Sequence, residues 1–456
     1  MKNLNFFKNN SYFNLVALHI GMGVLFRVAR PLSTVFFTAI LAYFLYKIVT
    51  APANKKIQQV LLASAYFVGG EVLFRMTGAG LAYEASKYLV ILFMVFGIFF
   101  KGISSKSFPY FFYLVLLIPS ILIASATLSF DANFRTNVFF VLTGPVALGI
   151  AAIFCMDKRI RMAQMHQILL YVLLPCIATT TYLFLYNPSV KEVIRNTASN
   201  FSTSGGFGPN QVSTILGLGM FILVVRLFMK SPTILLKAVN IILLGAVSYR
   251  AIVTFSRGGI FAAIIIIAVF LFYYFRRSSL KKRAQILSSF VLLLLAAVLT
   301  WGISSSQTGG LINKRYANQD ALGREKEDLS TGRSELFLDE LEGFFSNPFF
   351  GIGASRAKDL RLEREGIAAA SHNEIGRLIG EHGFLGIIIL LMLIFIPLIY
   401  RTRHKNNVFF YSFLCFWFAT INHTGMRIAA PSFIYALSLL YVTYEKRPLR
   451  RKQISK

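Results

Sequence analysis

The sequence predicts an all-α integral membrane protein of about 12–14 transmembrane helices, with one large extracytoplasmic helical loop near the C-terminus. Three observations predict it. The 456 residues are 56% hydrophobic and only 14% charged, against about 45–50% and about 25% in soluble domains, which excludes an ordinary cytosolic enzyme. The apolar residues fall in runs close to the roughly 20 residues a helix needs to cross a bilayer. The 47 Lys and Arg cluster between those runs.

Taken in order, the runs place spans near 10–28, 31–49, 57–75, 84–100, 108–127, 138–156 and 165–186. They continue at 211–229, 234–253, 259–275 and 284–303, and after a long polar stretch at 384–400, 408–422 and 429–444. Arg27, Arg30 and Pro31 mark the turn between the first two. Lys2 and Lys8 precede the first run, but no small-residue cleavage site follows, so it reads as a retained span and not a signal peptide. With a cytoplasmic N-terminus, 27 of the 47 basic residues fall on inside segments and every inside loop is basic, as the positive-inside rule requires. Both termini are then cytoplasmic. The net charge of +28 is an orientation signal in this reading, and no nucleic acid is expected.

The polar stretch 304–383 holds 13 of the 19 acidic residues and ten basic ones. Its own apolar pattern predicts an ordered domain. The chain therefore divides into a transmembrane bundle (1–303), an extracytoplasmic catalytic loop (304–383), C-terminal spans (384–444) and a basic cytoplasmic tail (445–456). Cys155, Cys176 and Cys415 lie in apolar runs without ligand spacing, and no H-E-x-x-H or clustered Asp predicts a metal site. Glu71 with Arg75, and Glu84 with Lys87, have helical spacing for ion pairs within apolar surroundings, where such groups are either functional or self-neutralising.

Three clusters carry chemistry. Thr254-Phe255-Ser256-Arg257-Gly258-Gly259 lies between two spans, with Arg250 seven residues earlier on the same predicted helical face. An Arg at a helix start beside two glycines suits an anion, because the helix N-terminus is positive and guanidinium grips phosphate as a fork. A hairpin turn with a snorkelling Arg is the competing reading. Thr331-Gly332-Arg333-Ser334 precedes a helical apolar pattern that Asn347-Pro348 stops, so Arg333 also stands at a helix start. Ser371-His372-Asn373-Glu374 has the capping-box spacing, which places His372 in the first turn of a helix. The positive end of that helix favours a neutral imidazole able to accept a proton. A capped helix with an incidental His is the alternative. His382, at the end of the same helix, and His423, in a short outer turn, read as structural.

Together these residues resemble the O-antigen ligase and O-antigen polymerase family. The ligase signature of His-Asn, nine residues and Gly-x-x-Gly fits His372-Asn373, Gly383 and Gly386. The Ser-Arg-Gly-Gly turn fits Ser256 to Gly259. The Gly-Arg element with Asn-Pro-x-x-Gly-x-Gly fits Gly332-Arg333 and Asn347 to Gly353, and Gly206 to Gln211 looks like a further family element. The resemblance implies a metal-independent, inverting glycosyltransferase of the bacterial cytoplasmic membrane that uses no cofactor. Its donor would be a glycan on undecaprenyl diphosphate. The acceptor would be a lipid A core for a ligase, or a second lipid-linked glycan for a polymerase. His372 would be the general base, Arg257 and Arg333 with Gly258 and Gly259 would hold the diphosphate, and Arg250, Asn373 and Arg377 would support them. A flippase or transporter is the reading from a different class. It should show repeated halves around a midplane site, and no repeat is visible here.

Overall fold

The computed structural model describes residues 11–130, 132–326, 333–366, 371 and 373–444. Helices form at every predicted span position. They are α1 (Ser11–Val28), α2 (Pro31–Thr50), α3 (Lys56–Thr77), α4 (Ala85–Lys101), α5 (Phe108–Leu116), α6 (Ile118–Thr127), α7 (Phe134–Cys155) and α8 (Met162–Tyr186). After a single turn, α9 (Val190–Val193), come α10 (Pro209–Met229), α11 (Ile234–Ile252), α12 (Arg257–Arg276) and α13 (Leu280–Gln307). The polar stretch forms α14 (Leu311–Tyr316), α15 (Arg333–Ser346), α16 (Arg356–Glu365) and α17 (Glu374–His382), and the chain closes with α18 (Phe384–Arg403), α19 (Phe410–Ile421) and α20 (Ala430–Ser438). Among the described residues, ten helical stretches are long and apolar enough to cross a membrane. The predicted spans at α1, α4, α19 and α20 are apolar but shorter.

Two predicted boundaries move for identifiable reasons. The span predicted at 108–127 breaks at Leu117, because Pro119 lies in the first turn of α6 and restarts the helix. The span predicted at 429–444 ends at Ser438, because the chain leaves the helix to form β2 (Tyr441–Thr443), which pairs in parallel with β1 (Arg159–Arg161). This ribbon buries Ile160 and Val442 and is the one named sheet in an otherwise helical fold among the described residues.

Helices α3, α7, α8 and α10 form the centre, and α2 and α13 lie at the periphery with most of their surface exposed. Small residues let the central helices close on one another, as packing in a membrane favours. A Cβ at Gly69 would run into the Val172 backbone, and one at Gly217 would lie 2.6 Å from the Gly259 carbonyl.

The contacts sort the connections into two ends. At the basic end, Lys106 pairs with Asp157 at 2.7 Å, Lys158 Nζ donates to the carbonyls of Lys101 and Gly102, and Tyr400 donates to Asp157. At the other end, Arg30 donates to the Met76 and Thr77 carbonyls, and Gly353 packs on the backbone of Ala124. The same alternation follows from the charge pattern. The three motifs all lie at this second end, where α15–α17 fold onto α6 and α18.

Candidate active site

The first motif forms a turn between two helices and not one continuous face. Helix α11 ends at Ile252 and α12 begins at Arg257, while Phe255 between them takes a left-handed φ of 59°. That conformation is costly for a bulky residue. It is held by burial of the ring and by Arg315 Nε, which donates to the Phe255 carbonyl at 3.1 Å. The turn therefore separates Arg250 from Arg257, contrary to the shared helical face that their spacing predicts. Arg250 is fully buried, and its Nη2 donates to the Thr203 carbonyl at 2.8 Å, while its Nε and Nη1 have no hydrogen-bond partner among the described residues. Arg257 is half-buried and its Nη1 donates to the Arg315 carbonyl at 3.4 Å. Ser256 Oγ donates to Asn210 Oδ1 at 2.8 Å and accepts from Ser213 Oγ. The Gly206 to Gln211 element thus meets the Ser-Arg-Gly-Gly turn directly.

The two glycines of this turn face protein. A Cβ at Gly258 would overlap the His423 ring, and one at Gly259 would meet the Ser213 side chain. Their smallness admits the neighbouring ring and helix α10, and leaves the first-turn N–H groups of α12 for Arg257's surroundings.

His372 lies outside the described residues, and its two neighbours define the segment that carries it. Asn373 is the N-cap of α17, with its Oδ1 accepting from Ile375 N at 2.9 Å and Gly376 N at 3.4 Å. Helix α17 begins at Glu374, two residues later than the Ser371–Glu374 spacing predicts. The capping box fails because Ser371 Oγ is engaged with the Asn373 backbone, accepting from its N–H and donating to its carbonyl, each at 3.0 Å. Glu374 turns instead to Arg377, which also donates to Glu381 at 3.1 Å. Arg377 is buried between two carboxylates and braces the helix from within.

The described residues of α15 begin at Arg333, which the sequence expects at a helix start, and its side chain lies outside the described atoms. Phe337 and Glu340 in the first half of α15 lie on Gly376 in the first turn of α17, and the Glu340 carbonyl lies on Gly380. The two helices therefore run side by side, with the Arg333 and Asn373 ends together.

One connection joins the motifs. The α19–α20 loop lays His423 on Gly258, next to Arg257. Three residues on, Met426 N donates to Glu374 Oε2 at 3.4 Å, and Arg427 Nη2 donates to the Ser371 carbonyl at 2.6 Å. The loop is anchored in turn by α3: Arg75 donates to the Arg427 carbonyl at 3.2 Å, and Glu71 accepts from Arg75 at 2.5 Å and from Ala429 N at 2.7 Å. The buried Glu71–Arg75 pair is thus formed as predicted and also supports the site. Lys87 and Glu84 pair at 2.8 Å nearby in the chain. Spacing alone does not identify Arg315, Arg361 or Arg427. Arg427 carries the one signal that was available, a cation in a turn between two short apolar runs.

Burial sets the electrostatics of this region. It pushes the Glu340 carboxyl up to about 8, reinforced by Glu381 and opposed by Arg361 and Arg377. It pushes Glu381 up to about 7 against the pull of Arg377. His382 is driven down to about 3 by burial and by Arg377, and its ring has no hydrogen-bond partner among the described residues, so it packs without capping. His423, read from sequence as structural, packs against the Arg257 turn.

The fold is that of a multi-span membrane protein, and these groups gather at one end of its bundle. Residues 241–391 match the O-antigen ligase family model. No curated protein matches the chain. The matched stretch holds Arg250, Arg257, Arg333 and position 372, while the α19–α20 loop lies beyond it.

Proposed function

We propose that the chain is a metal-independent, inverting glycosyltransferase of ligase type. It transfers a glycan from undecaprenyl diphosphate to an acceptor hydroxyl at the outer face of the cytoplasmic membrane, with both termini cytoplasmic. The observation that carries this reading is the α19–α20 loop, which touches the Arg257 turn with His423 and the residues flanking position 372 with Met426 and Arg427.

In this reading Arg257 and Arg333, with the buried Arg250 behind them, hold the donor's diphosphate beside the N-termini of α12 and α15. The fork geometry of guanidinium matches the phosphate oxygens. His372 takes the proton from the acceptor hydroxyl as its oxygen attacks the anomeric carbon. The bond to the diphosphate breaks on the opposite side, its electron pair leaves with the phosphate, and the arginines neutralise that charge. Asn373 positions His372 by capping the helix that follows it. A polymerase differs only in taking a second lipid-linked glycan as acceptor.

General-base assistance is worth about 10²–10⁴ in rate. His372→Ala is therefore expected to lower turnover in a reconstituted transfer assay by at least about a hundredfold, with protein level and donor binding retained. His404→Ala, at the basic end, should stay near wild type. Near-normal transfer by His372→Ala alongside inactive Arg257→Ala would remove His372 as the base.

A further inference from the structure

Outside the groups described so far, α6, α15 and α16 enclose a cleft of about 460 Å³, within the roughly 300–1,000 Å³ of sites that take small organic ligands. Its floor is apolar, with Ile123 from α6, Ile352 from the glycine turn and Leu360 from α16. Its rim is charged but balanced. Arg361 faces Asp339 at 3.5 Å, Arg364 faces Glu342 at 3.3 Å, and Arg356 is held by Asp359 and Glu363.

That pairing selects among ligands. An anion would have to displace a carboxylate from each guanidinium it met. A hydroxyl can accept from the guanidinium and donate to the carboxylate together, so a polyol engages the rim without breaking it. The apolar floor suits the C–H face of a sugar ring. Arg361 lines both this cleft and the small pocket of Ser371, Glu374, Arg377 and Arg427, so the cleft adjoins the residues flanking the proposed centre.

We propose that this cleft is a saccharide subsite, binding an uncharged, hydroxyl-rich stretch of glycan away from the reacting sugar. The proposal rests on the glycosyl-transfer reading above. The glycan belongs either to the acceptor or to the donor, and the two sources present the same chemistry to the rim.

The test is saturation-transfer NMR on the full chain in detergent, with two probes. One is the deacylated core oligosaccharide of the host's surface glycolipid, and the other is the repeat-unit oligosaccharide released from its surface polysaccharide by mild acid. Ala126 and Ser346 are exposed on two different walls of the cleft, so Ala126→Trp and Ser346→Trp each fill it from a position that tolerates bulk. At least one probe should bind the wild type, and a folded variant should weaken it at least about tenfold. Inorganic phosphate should not compete. The probe that binds identifies the subsite as acceptor or donor. No binding by either probe, equal binding by a folded variant, or competition by phosphate would each overturn the proposal. Wild type that binds a probe but transfers no glycan in the reconstituted assay would sink the glycosyl-transfer reading and leave the subsite standing.

Discussion

Arg250 and Arg257 are seven residues apart and meet different surroundings, because the left-handed Phe255 ends one helix before the next begins. Arg257 is half-buried beside the Arg315 carbonyl, and in the proposed function it is the one that meets the donor's diphosphate. Arg257→Lys is therefore expected to be impaired nearly as badly as Arg257→Ala in transfer, since an ammonium keeps the charge but loses the two-pronged grip. Full activity of the Lys variant would reduce Arg257 to a snorkelling residue at a hairpin. Glu340 invites a different measurement. Its carboxyl is raised by burial to about 8 from an ordinary 4.5, so the folded protein holds a proton that the unfolded chain releases. A raised acid contributes its full stability below about 4.5 and loses it progressively as pH rises through about 8. Glu340→Gln mimics the protonated form. It should gain melting temperature relative to wild type at pH 8.5 but not at pH 4.5. Equal shifts at both pH values would show that Glu340 is ionised throughout.

The helices show why some of this was readable in advance. Length and apolar runs located a helix at every predicted position, and ten stretches reach spanning length, because a bilayer demands about 20 apolar residues whatever their neighbours. Asn347-Pro348 stopped α15 as written. Two local readings failed through competition that spacing does not reveal: Ser371 bonds the Asn373 backbone and yields the cap to Asn373, and Phe255 interrupts the face that would have joined the two arginines. The loop linking the motifs left almost no trace in the sequence, since its contacts span 52 residues to Glu374 and 56 to Ser371. Gly258 was read as an opening for a ligand, and the structure adds a steric reason. Gly258→Ala should drive its methyl into the His423 ring and depress transfer sharply. His423→Ala in the same chain makes room, so the double variant should recover part of the loss. A double variant no better than Gly258→Ala would mean that His423 does more than fill space.

Across the whole molecule, the two ends sorted by contacts correspond to the two sides that the charge pattern assigns. Leu322 and Ser279 are exposed and lie at opposite ends of α13. On a background without Cys155, Cys176 and Cys415, Leu322→Cys should react with an impermeant thiol reagent in intact spheroplasts, and Ser279→Cys should not. The reverse labelling would invert the orientation and move the site to the cytoplasm. The α19–α20 loop has a further consequence, one of timing. Every recognised motif is synthesised before α19, yet the contacts that brace the Arg257 turn and the residues flanking position 372 come from the α19–α20 loop, which is made after all of them. A half-made chain can thus insert most of its helices while its reactive centre is still open. On the proposed function, synthesis order becomes a safeguard, holding back competence from a nascent chain until the α19–α20 hairpin has been made.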